Sequence, residues 1–134
     1  MKNKKILITG GAGYIGCHVV EELIKANYLV TVIDRLSFDA NSLNNLKDNK
    51  NLTIDKEDLR NLSNLESHLN GTDAVIHLAA LVGEAACKIS ESDTISTNYD
   101  ATIKLCDLAR KNKVKNFIFM STASSYGVQD TSEI

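Results

Sequence analysis

The segment Thr9-Gly10-Gly11-Ala12-Gly13-Tyr14-Ile15-Gly16 decides the fold of this chain. The apolar run Lys5–Thr9 before it predicts a buried strand, and the apolar residues after it recur at helical spacing. Glycines at this spacing allow a tight turn, let backbone approach a phosphate and let a helix pack closely on the sheet. The alternative, a strand–helix turn that uses glycine only for its geometry, needs fewer glycines. The segment therefore predicts a dinucleotide-binding loop that uses Gly10, Gly13, Tyr14, Ile15 and Gly16.

Apolar runs alternate with segments of helical periodicity along the rest of the chain. Further strands are predicted at 29–33, 52–54, 74–78 and 117–120, and helices at 12–26, 61–69 and 93–112. The strands are continuous apolar runs, as burial on both faces requires. His77, within the fourth of them, is predicted to be a hydrogen-bonded core residue and not an acid–base group. The pattern predicts an α/β fold, a doubly wound parallel sheet of five strands in the order 3-2-1-4-5.

The helix predicted at 93–112 is long and amphipathic. Its apolar side is predicted to carry Ile95, Tyr99, Ile103, Cys106 and Ala109.

Length and composition restrict the class of protein. The chain has 134 residues, 43% of them hydrophobic, and a formal net charge of −2, which predicts one domain without the basic charge of a nucleic-acid-binding protein. No apolar run approaches the roughly 18 residues of a membrane span. Its 3 cysteines form no Cys-x-x-Cys pair, which argues against a disulfide framework and a metal site. Reduced thiols in a cytoplasmic protein are the resulting expectation.

Asp34 lies at the end of the second predicted strand, where a carboxylate accepts hydrogen bonds from the hydroxyls of an adenosine ribose. The same charge repels a 2′-phosphate, so NAD is favoured over NADP as the cofactor. Arg35, the next residue, is able to offset this repulsion, and NADP therefore stays as the less favoured alternative. A carboxylate that only caps its own loop is the other interpretation of Asp34.

Small and polar residues follow the other predicted strands. In an open parallel sheet, ligands bind beyond the carboxyl ends of the strands. Each group alone is weak, because such residues are common in loops, but together they trace a path across the sheet. The predicted cofactor contacts are Asp58 and Leu59 after the third strand and Leu78, Ala79 and Ala80 after the fourth; Ser121 and Thr122 follow the fifth.

As a set, these motifs resemble the extended short-chain dehydrogenase/reductase family, in particular its NAD-dependent nucleotide-sugar epimerases and dehydratases. The resemblance runs from Lys5 to Gly127. Its parts are TGGAGYIG at 9–16, Asp34, DLR at 58–60, HLAA at 77–80, NYDAT at 98–102 and MSTASSYG at 120–127. It implies a Rossmann fold that binds NAD and a nucleotide-sugar substrate whose carbon transfers a hydride to that cofactor.

The resemblance also implies roles for single residues. Thr122 matches the family's catalytic Ser/Thr, which hydrogen-bonds the sugar oxygen at the site of hydride transfer, and Ser121 is its neighbour. Asn98 matches a helix asparagine that supports the site, and we group it with the cofactor-binding residues. The helix at 93–112 matches part of the family's dimer interface, which implies a homodimer or self-association, with apolar surface and an unpaired edge at the fifth strand.

The chain departs from the family at the catalytic base. The family uses a tyrosine whose pKa is lowered by a lysine one helical turn later, in a Tyr-x-x-x-Lys motif. The 4 tyrosines here, Tyr14, Tyr28, Tyr99 and Tyr126, are followed four residues later by His18, Val32, Ile103 and Asp130. The resemblance therefore implies that residues 1–134 form an incomplete NAD-binding domain, without the later strands and the substrate domain. Such a domain is expected to bind NAD but not to convert a nucleotide-sugar substrate.

Two other functions stay open at this point. A short protein with this fold is able to serve as a non-catalytic sensor or interaction module that binds a dinucleotide. A reductase of the same superfamily that acts on a substrate other than a sugar is the third interpretation. Residues beyond Ile134 would discriminate among the three.

Overall fold

Five parallel strands form one sheet in the computed structural model, which describes residues 3–37, 41–61, 65–122 and 126–127. They are β1 (Lys5–Thr9), β2 (Leu29–Asp34), β3 (Leu52–Lys56), β4 (Ala74–His77) and β5 (Asn116–Phe119). Their order is β3-β2-β1-β4-β5, and every neighbouring pair is parallel. The predicted α/β fold and strand order 3-2-1-4-5 are confirmed.

The strand register brings the carboxyl ends of the strands to one edge of the sheet. Thr9, the last residue of β1, lies opposite Ile33 of β2 and His77 of β4. His77 in turn lies opposite Phe119, the last residue of β5. The residues that follow each strand therefore share this edge, where ligands of open parallel sheets bind.

Helical segments cover both faces of the sheet. They are α1 (Tyr14–Lys25), α2 (Leu65–Leu69), α3 (Glu84–Ile89), α4 (Glu91–Ile95) and α5 (Ala101–Lys111), and a π-helical segment, Ser96–Asp100, joins α4 to α5. Successive residues of a strand point to opposite faces, so Leu7 and Ile8 enter separate cores. Ile8 packs in the core that contains Val20 of α1, and Leu7 in the core that contains Leu105 of α5.

The predicted apolar side of the helix at 93–112 is only partly right. Ala109 is 3% exposed, but Ile95, Tyr99 and Ile103 are 50%, 64% and 47% exposed. The buried side is instead formed by Thr97, Ala101, Leu105 and Ala109. Ile103 lies on the side of α5 opposite to Ala101 and Leu105, and the π-helical turn shifts the phase of Ile95 relative to α5. The larger apolar residues therefore form an outward stripe, which we call the Ile95–Ile103 stripe.

Two further differences concern segment bounds. α3 was not predicted, and it follows Gly83, which adopts φ 90°. The helix predicted at 61–69 is formed over Leu65–Leu69, and residues 62–64 lie outside the described residues. No helix of the described residues is long and apolar enough to cross a membrane.

The edge strand β5 exposes apolar side chains, as predicted. It pairs only with β4 in the described sheet. Ile118 and Phe119 are 51% and 54% exposed, and Met120 just after the strand is also exposed.

Candidate functional site

The glycine-rich loop touches the segment that follows β4. Gly10 adopts φ +73°, which side-chain-bearing residues rarely take. A Cβ atom on Gly10 would lie 2.7 Å from the backbone N of Ala79. Glycine at position 10 therefore allows the turn after β1 and its close approach to Ala79.

The start of α1 is packed tightly against this loop and is open on its outer side. A Cβ atom on Gly16 would collide with the carbonyl oxygen of Gly10. Gly13 precedes the helix and gives it no side-chain cap, and Tyr14 and Ile15 in the first turn are exposed. The first N–H groups of this 12-residue helix thus have no side-chain cap from Gly13, and they follow a loop in which Gly10, Gly11 and Gly13 lack side chains. This arrangement fits an anionic pyrophosphate.

The Asp34 carboxylate joins the end of β2 to the glycine-rich loop. Its Oδ2 accepts a hydrogen bond of 3.0 Å from the backbone N–H of Ala12, and its Oδ1 accepts one of 2.8 Å from Leu36. A carboxylate offers about four lone-pair positions, so Asp34 keeps capacity for hydroxyl donors such as those of a ribose. The loop-capping interpretation and the ribose-binding interpretation of Asp34 are therefore compatible.

Asp58 lies just beyond β3, in an ionic cluster with two arginines. Arg60 donates from Nη2 to Asp58 Oδ2 at 2.7 Å and from Nε to Oδ1 at 3.0 Å. Arg35 Nη1 lies 3.5 Å from the same Oδ2. The Arg60 guanidinium, with a smaller contribution from Arg35, lowers the pKa of Asp58 to about 2. Asp58 is therefore an anionic acceptor throughout the physiological range.

Leu59 differs from its neighbour because its side chain belongs to the core. It is 5% exposed and packs with the cluster around Leu7 and Leu105. Any contact of Leu59 with a ligand has to come from its backbone.

His77 is a buried, hydrogen-bonded residue, as predicted. It is 1% exposed; its Nδ1 is hydrogen-bonded to the Thr9 hydroxyl and its Nε2 to the Thr102 hydroxyl at 2.7 Å. The rings of Phe117 and Phe119 lie beside it. Burial lowers the pKa of His77 below its ordinary value.

Asn98 fixes the loop after β4 from inside the π-helical segment. Its Oδ1 accepts from the backbone N–H of Leu81 and its Nδ2 donates to the carbonyl of Leu81, both at 2.8 Å. The Thr102 hydroxyl donates to the Asn98 carbonyl, so His77 and Asn98 are linked through one side chain. Leu78, Ala79 and Ala80 lie between the residues held in this way. Asn98 thus positions the segment that the sequence had assigned to cofactor contact.

The predicted catalytic pair follows β5. Ser121 and Thr122 are exposed, and the preceding Met120 donates its backbone N–H to the carbonyl of His77. Tyr126 is 80% exposed. Residues 123–125 and 128–134 lie outside the described residues.

Predicted site residues follow all five strands at one edge of the sheet, except that Tyr14, Ile15 and Gly16 belong to the start of α1 and Asn98 to the π-helical segment. Direct contacts join the loop to Asp34 and place Gly10 beside Ala79, while Asp58 contacts Arg35. Arg60 belongs to the DLR motif at 58–60, but the sequence assigned it no role; in the structure its second ion pair reaches Asp93 of α4. Among the described residues, no three His, Cys, Asp or Glu side chains are grouped as a metal-ion site.

Comparisons with known proteins agree with this geometry. The family model described as NAD dependent epimerase/dehydratase family matches residues 6–134. UDP-glucose 4-epimerase from Bacillus subtilis (strain 168) is 38% identical over an alignment of 134 positions. The alignment covers 96% of this chain and 40% of that protein.

Two solved structures have similar folds and sequences. The UDP-N-acetylglucosamine 4-epimerase from Methanobrevibacter ruminantium M1, in complex with UDP-N-acetylmuramic acid, matches with a TM-score of 0.88 and 38% identity over 100% of this chain and 43% of that chain. The UDP-glucuronic acid 4-epimerase from Bacillus cereus, in complex with UDP-glucuronic acid and NAD, matches with a TM-score of 0.86 and 30% identity over 94% of this chain and 42% of that chain. This chain spans about two fifths of the length of these relatives.

Proposed function

The chain belongs to the NAD dependent epimerase/dehydratase family, and from this premise we propose that it is the NAD-binding part of a nucleotide-sugar epimerase or dehydratase. The observation that carries the proposal is the bond from Ala12 N–H to Asp34 Oδ2, at 3.0 Å. It places a candidate pyrophosphate loop and a candidate ribose acceptor side by side. Relatives described as epimerases of UDP-sugars, one of them with NAD, support the substrate class and the cofactor.

In this proposal each part of the cofactor has its own residues. Gly10, Gly13 and Gly16, with the first turn at Tyr14 and Ile15, bind the pyrophosphate through backbone N–H groups. Asp34 accepts from the ribose hydroxyls, which favours NAD over NADP. The remaining contacts are assigned to Arg35, Asp58 and Leu59 on the adenine side, and to Leu78, Ala79, Ala80 and Asn98 on the nicotinamide side.

The chemistry that bound NAD would supply is the reversible acceptance of a hydride from a sugar carbon. Thr122 orients the sugar oxygen by a hydrogen bond, and Ser121 lies beside it. Withdrawal of the proton from that oxygen needs a base, which the resemblance assigns to a Tyr-x-x-x-Lys motif that residues 1–134 lack. We therefore propose that these 134 residues are an incomplete Rossmann domain that binds NAD without turnover.

Three measurements on the chain test this function. Titration calorimetry with NAD is expected to show one site, and NAD is expected to raise the melting temperature, because a ligand that binds only the folded state stabilises it. An assay with UDP-glucose and UDP-N-acetylglucosamine is expected to show no epimerisation. A chain that neither binds NAD nor melts higher with it would contradict the binding function. Turnover at the rate of a full-length epimerase would contradict the catalytic assignment.

A non-catalytic dinucleotide-binding module is the second candidate, supported by the glycine-rich loop and Asp34, which serve dinucleotide binding whether or not a reaction follows. The coding sequence after Ile134 separates the two: a Tyr-x-x-x-Lys motif and a sugar-binding domain there support the enzyme, and a stop codon supports the module.

Self-association through the helical run 91–111 is part of the proposal, since the Ile95–Ile103 stripe on it is exposed. A cytoplasmic location is proposed as well, supported by three free cysteines.

A further inference from the structure

The ionic cluster at the end of β2 and β3 bears on the choice between NAD and NADP. This inference rests on the proposed binding of a dinucleotide by the chain. Arg35 directly follows Asp34, the proposed ribose acceptor, so a cation stands next to the place where the 2′-phosphate of NADP would lie. A phosphate monoester carries about −1.5 to −2 charge at pH 7, and arginine is well suited to bind it. From sequence alone, the positive charge of Arg35 would attract the 2′-phosphate and favour NADP, whereas the negative charge of Asp34 repels that phosphate.

In the structure, the Arg35 guanidinium reaches the neighbouring strand. Its Nη1 lies 3.5 Å from Oδ2 of Asp58, and the two side chains are 34% and 24% exposed. The backbone also fixes this arrangement, because the N–H of Glu57 donates to the carbonyl of Asp34 at 3.0 Å and the N–H of Leu36 donates to the Asp34 carboxylate at 2.8 Å. The segments that carry Arg35 and Asp58 are thus joined by a backbone hydrogen bond between the residues that precede them, Asp34 and Glu57.

The charges of the surrounding cluster also oppose a bound phosphate. Asp34, Asp58 and Asp93 supply three carboxylates, and Arg35 and Arg60 supply two guanidinium groups. Arg60 is bound by Asp58 and Asp93 on both sides. The cluster therefore keeps one net negative charge among these residues, and neither arginine lacks a carboxylate partner.

We propose that Asp58 is a determinant of coenzyme choice: it holds Arg35 in an ion pair and so withholds that guanidinium from the 2′-phosphate that distinguishes NADP from NAD. Asp34 repels the phosphate directly, and Asp58 acts through Arg35. Asp58 is thus a specificity-determining residue in addition to any contact with adenine.

The test is Asp58→Asn, which removes the charge, keeps the size of the side chain and leaves an amide oxygen as an acceptor for Arg60. Dissociation constants for NAD and NADP are measured by titration calorimetry at low ionic strength, because salt screens exposed charges. Any adenine contact of Asp58 is common to both coenzymes and cancels in the ratio of the two constants. The affinity for NADP relative to NAD is expected to rise about tenfold, the effect of one additional charge-assisted hydrogen bond.

Two variants identify the cause of that rise. Arg35→Gln in the Asp58→Asn background is expected to abolish it, because the freed guanidinium is then missing. Asp93→Asn is the matched control: it removes one negative charge from the same cluster but from a carboxylate that pairs with Arg60. This variant is expected to change the ratio of the NADP and NAD dissociation constants by less than about twofold, because the effect of a partly exposed charge at a distance is small.

The outcomes separate the inference from the function on which it rests. An unaltered chain that binds neither coenzyme overturns both. An unaltered chain that binds NAD, with a folded Asp58→Asn variant of unchanged ratio, overturns the inference alone, as does an equal rise in Asp93→Asn. Should Asp58→Asn fail to fold by circular dichroism, Arg35→Gln alone decides: the inference expects an unchanged ratio, and a tenfold loss of NADP affinity relative to NAD would contradict it.

Discussion

The carboxylate of Asp34 and the backbone N–H of Ala12 are joined by a 3.0 Å hydrogen bond, which ties the end of β2 to the glycine-rich loop after β1. The second carboxylate oxygen accepts from Leu36. Asp34 therefore stabilises the glycine-rich loop, and it is also proposed to bind the ribose beside that loop. Substitutions of Asp34 have to be interpreted with both roles in view.

Asp34→Ala is expected to weaken NAD binding at least about tenfold and to lower the free energy of unfolding by about 1–3 kcal/mol, because two partly buried N–H groups lose a charged acceptor. Urea denaturation and titration calorimetry measure the two effects. Asp34→Asn is the control: it keeps one acceptor oxygen, so its loss of stability is expected to be smaller. Unchanged NAD affinity in both variants would remove Asp34 from the site.

Gly16→Ala is expected to destabilise the chain by about 2 kcal/mol or more, since its new methyl group meets the Gly10 carbonyl and the Gly11 backbone. Gly13→Ala makes a useful comparison, because a Cβ atom there would lie 3.3 Å from the Gly10 oxygen. That change is expected to cost about 0.5–1 kcal/mol of stability but still to weaken NAD binding, by placing a methyl group at the open start of α1. Equal losses of stability in the two variants would contradict the proposed packing of the loop.

The stability of the chain is expected to fall as the pH decreases below 6.5, the ordinary pKa of histidine. Burial lowers the pKa of His77 in the folded state, so the unfolded state binds the proton more readily and is favoured at lower pH. One such group changes the free energy of unfolding by at most about 1.4 kcal/mol per pH unit. Urea denaturation at pH 7.5 and pH 5.5 measures this change. His77→Gln, which leaves His18 and His68 in place, is expected to reduce the pH dependence of the free energy of unfolding. An unchanged pH dependence in the variant would show that other groups cause it.

Ile103→Ser is expected to reduce self-association of the chain, measured by sedimentation equilibrium, because it removes an apolar side chain from the exposed Ile95–Ile103 stripe. Ile89→Ser is the control, since Ile89 is 86% exposed on α3 and does not belong to the stripe. An unaltered chain that is monomeric at high concentration would exclude association through this helix. A larger effect of Ile89→Ser would move the contact to α3.

Local signals of the sequence were sufficient for the framework of the fold. At 5–25, a continuous apolar strand, a glycine-rich turn and an apolar helical period occur in succession, and each of them supports the same βα unit. The order of the strands followed from the handedness of such units. The strand ends then placed Asp34, Asp58 and Ala79 at one edge without any knowledge of contacts.

Side-chain directions and long-range contacts were beyond those signals. The sequence assigned Ile95, Tyr99 and Ile103 to the core side, whereas the π-helical segment Ser96–Asp100 breaks the helical period. Ile103 itself lies in α5, on the side opposite to the buried residues of that helix. The pairs Arg35–Asp58 and Arg60–Asp93 join residues from different elements, and no spacing along the chain encodes them. For Asn98, the family motif indicated its importance, but only the structure showed that its amide holds Leu81.

The hydrogen bonds around His77 favour one tautomer of its imidazole. The Thr102 hydroxyl has a single hydrogen; when it donates this hydrogen to the Asn98 carbonyl, its oxygen is left to accept from Nε2 of His77. In that arrangement Nδ1 accepts from the Thr9 hydroxyl, whose oxygen also accepts from the backbone N–H of Ala79. We therefore expect a neutral imidazole with its proton on Nε2, and nitrogen-15 chemical shifts that report Nδ1–H instead would contradict this arrangement.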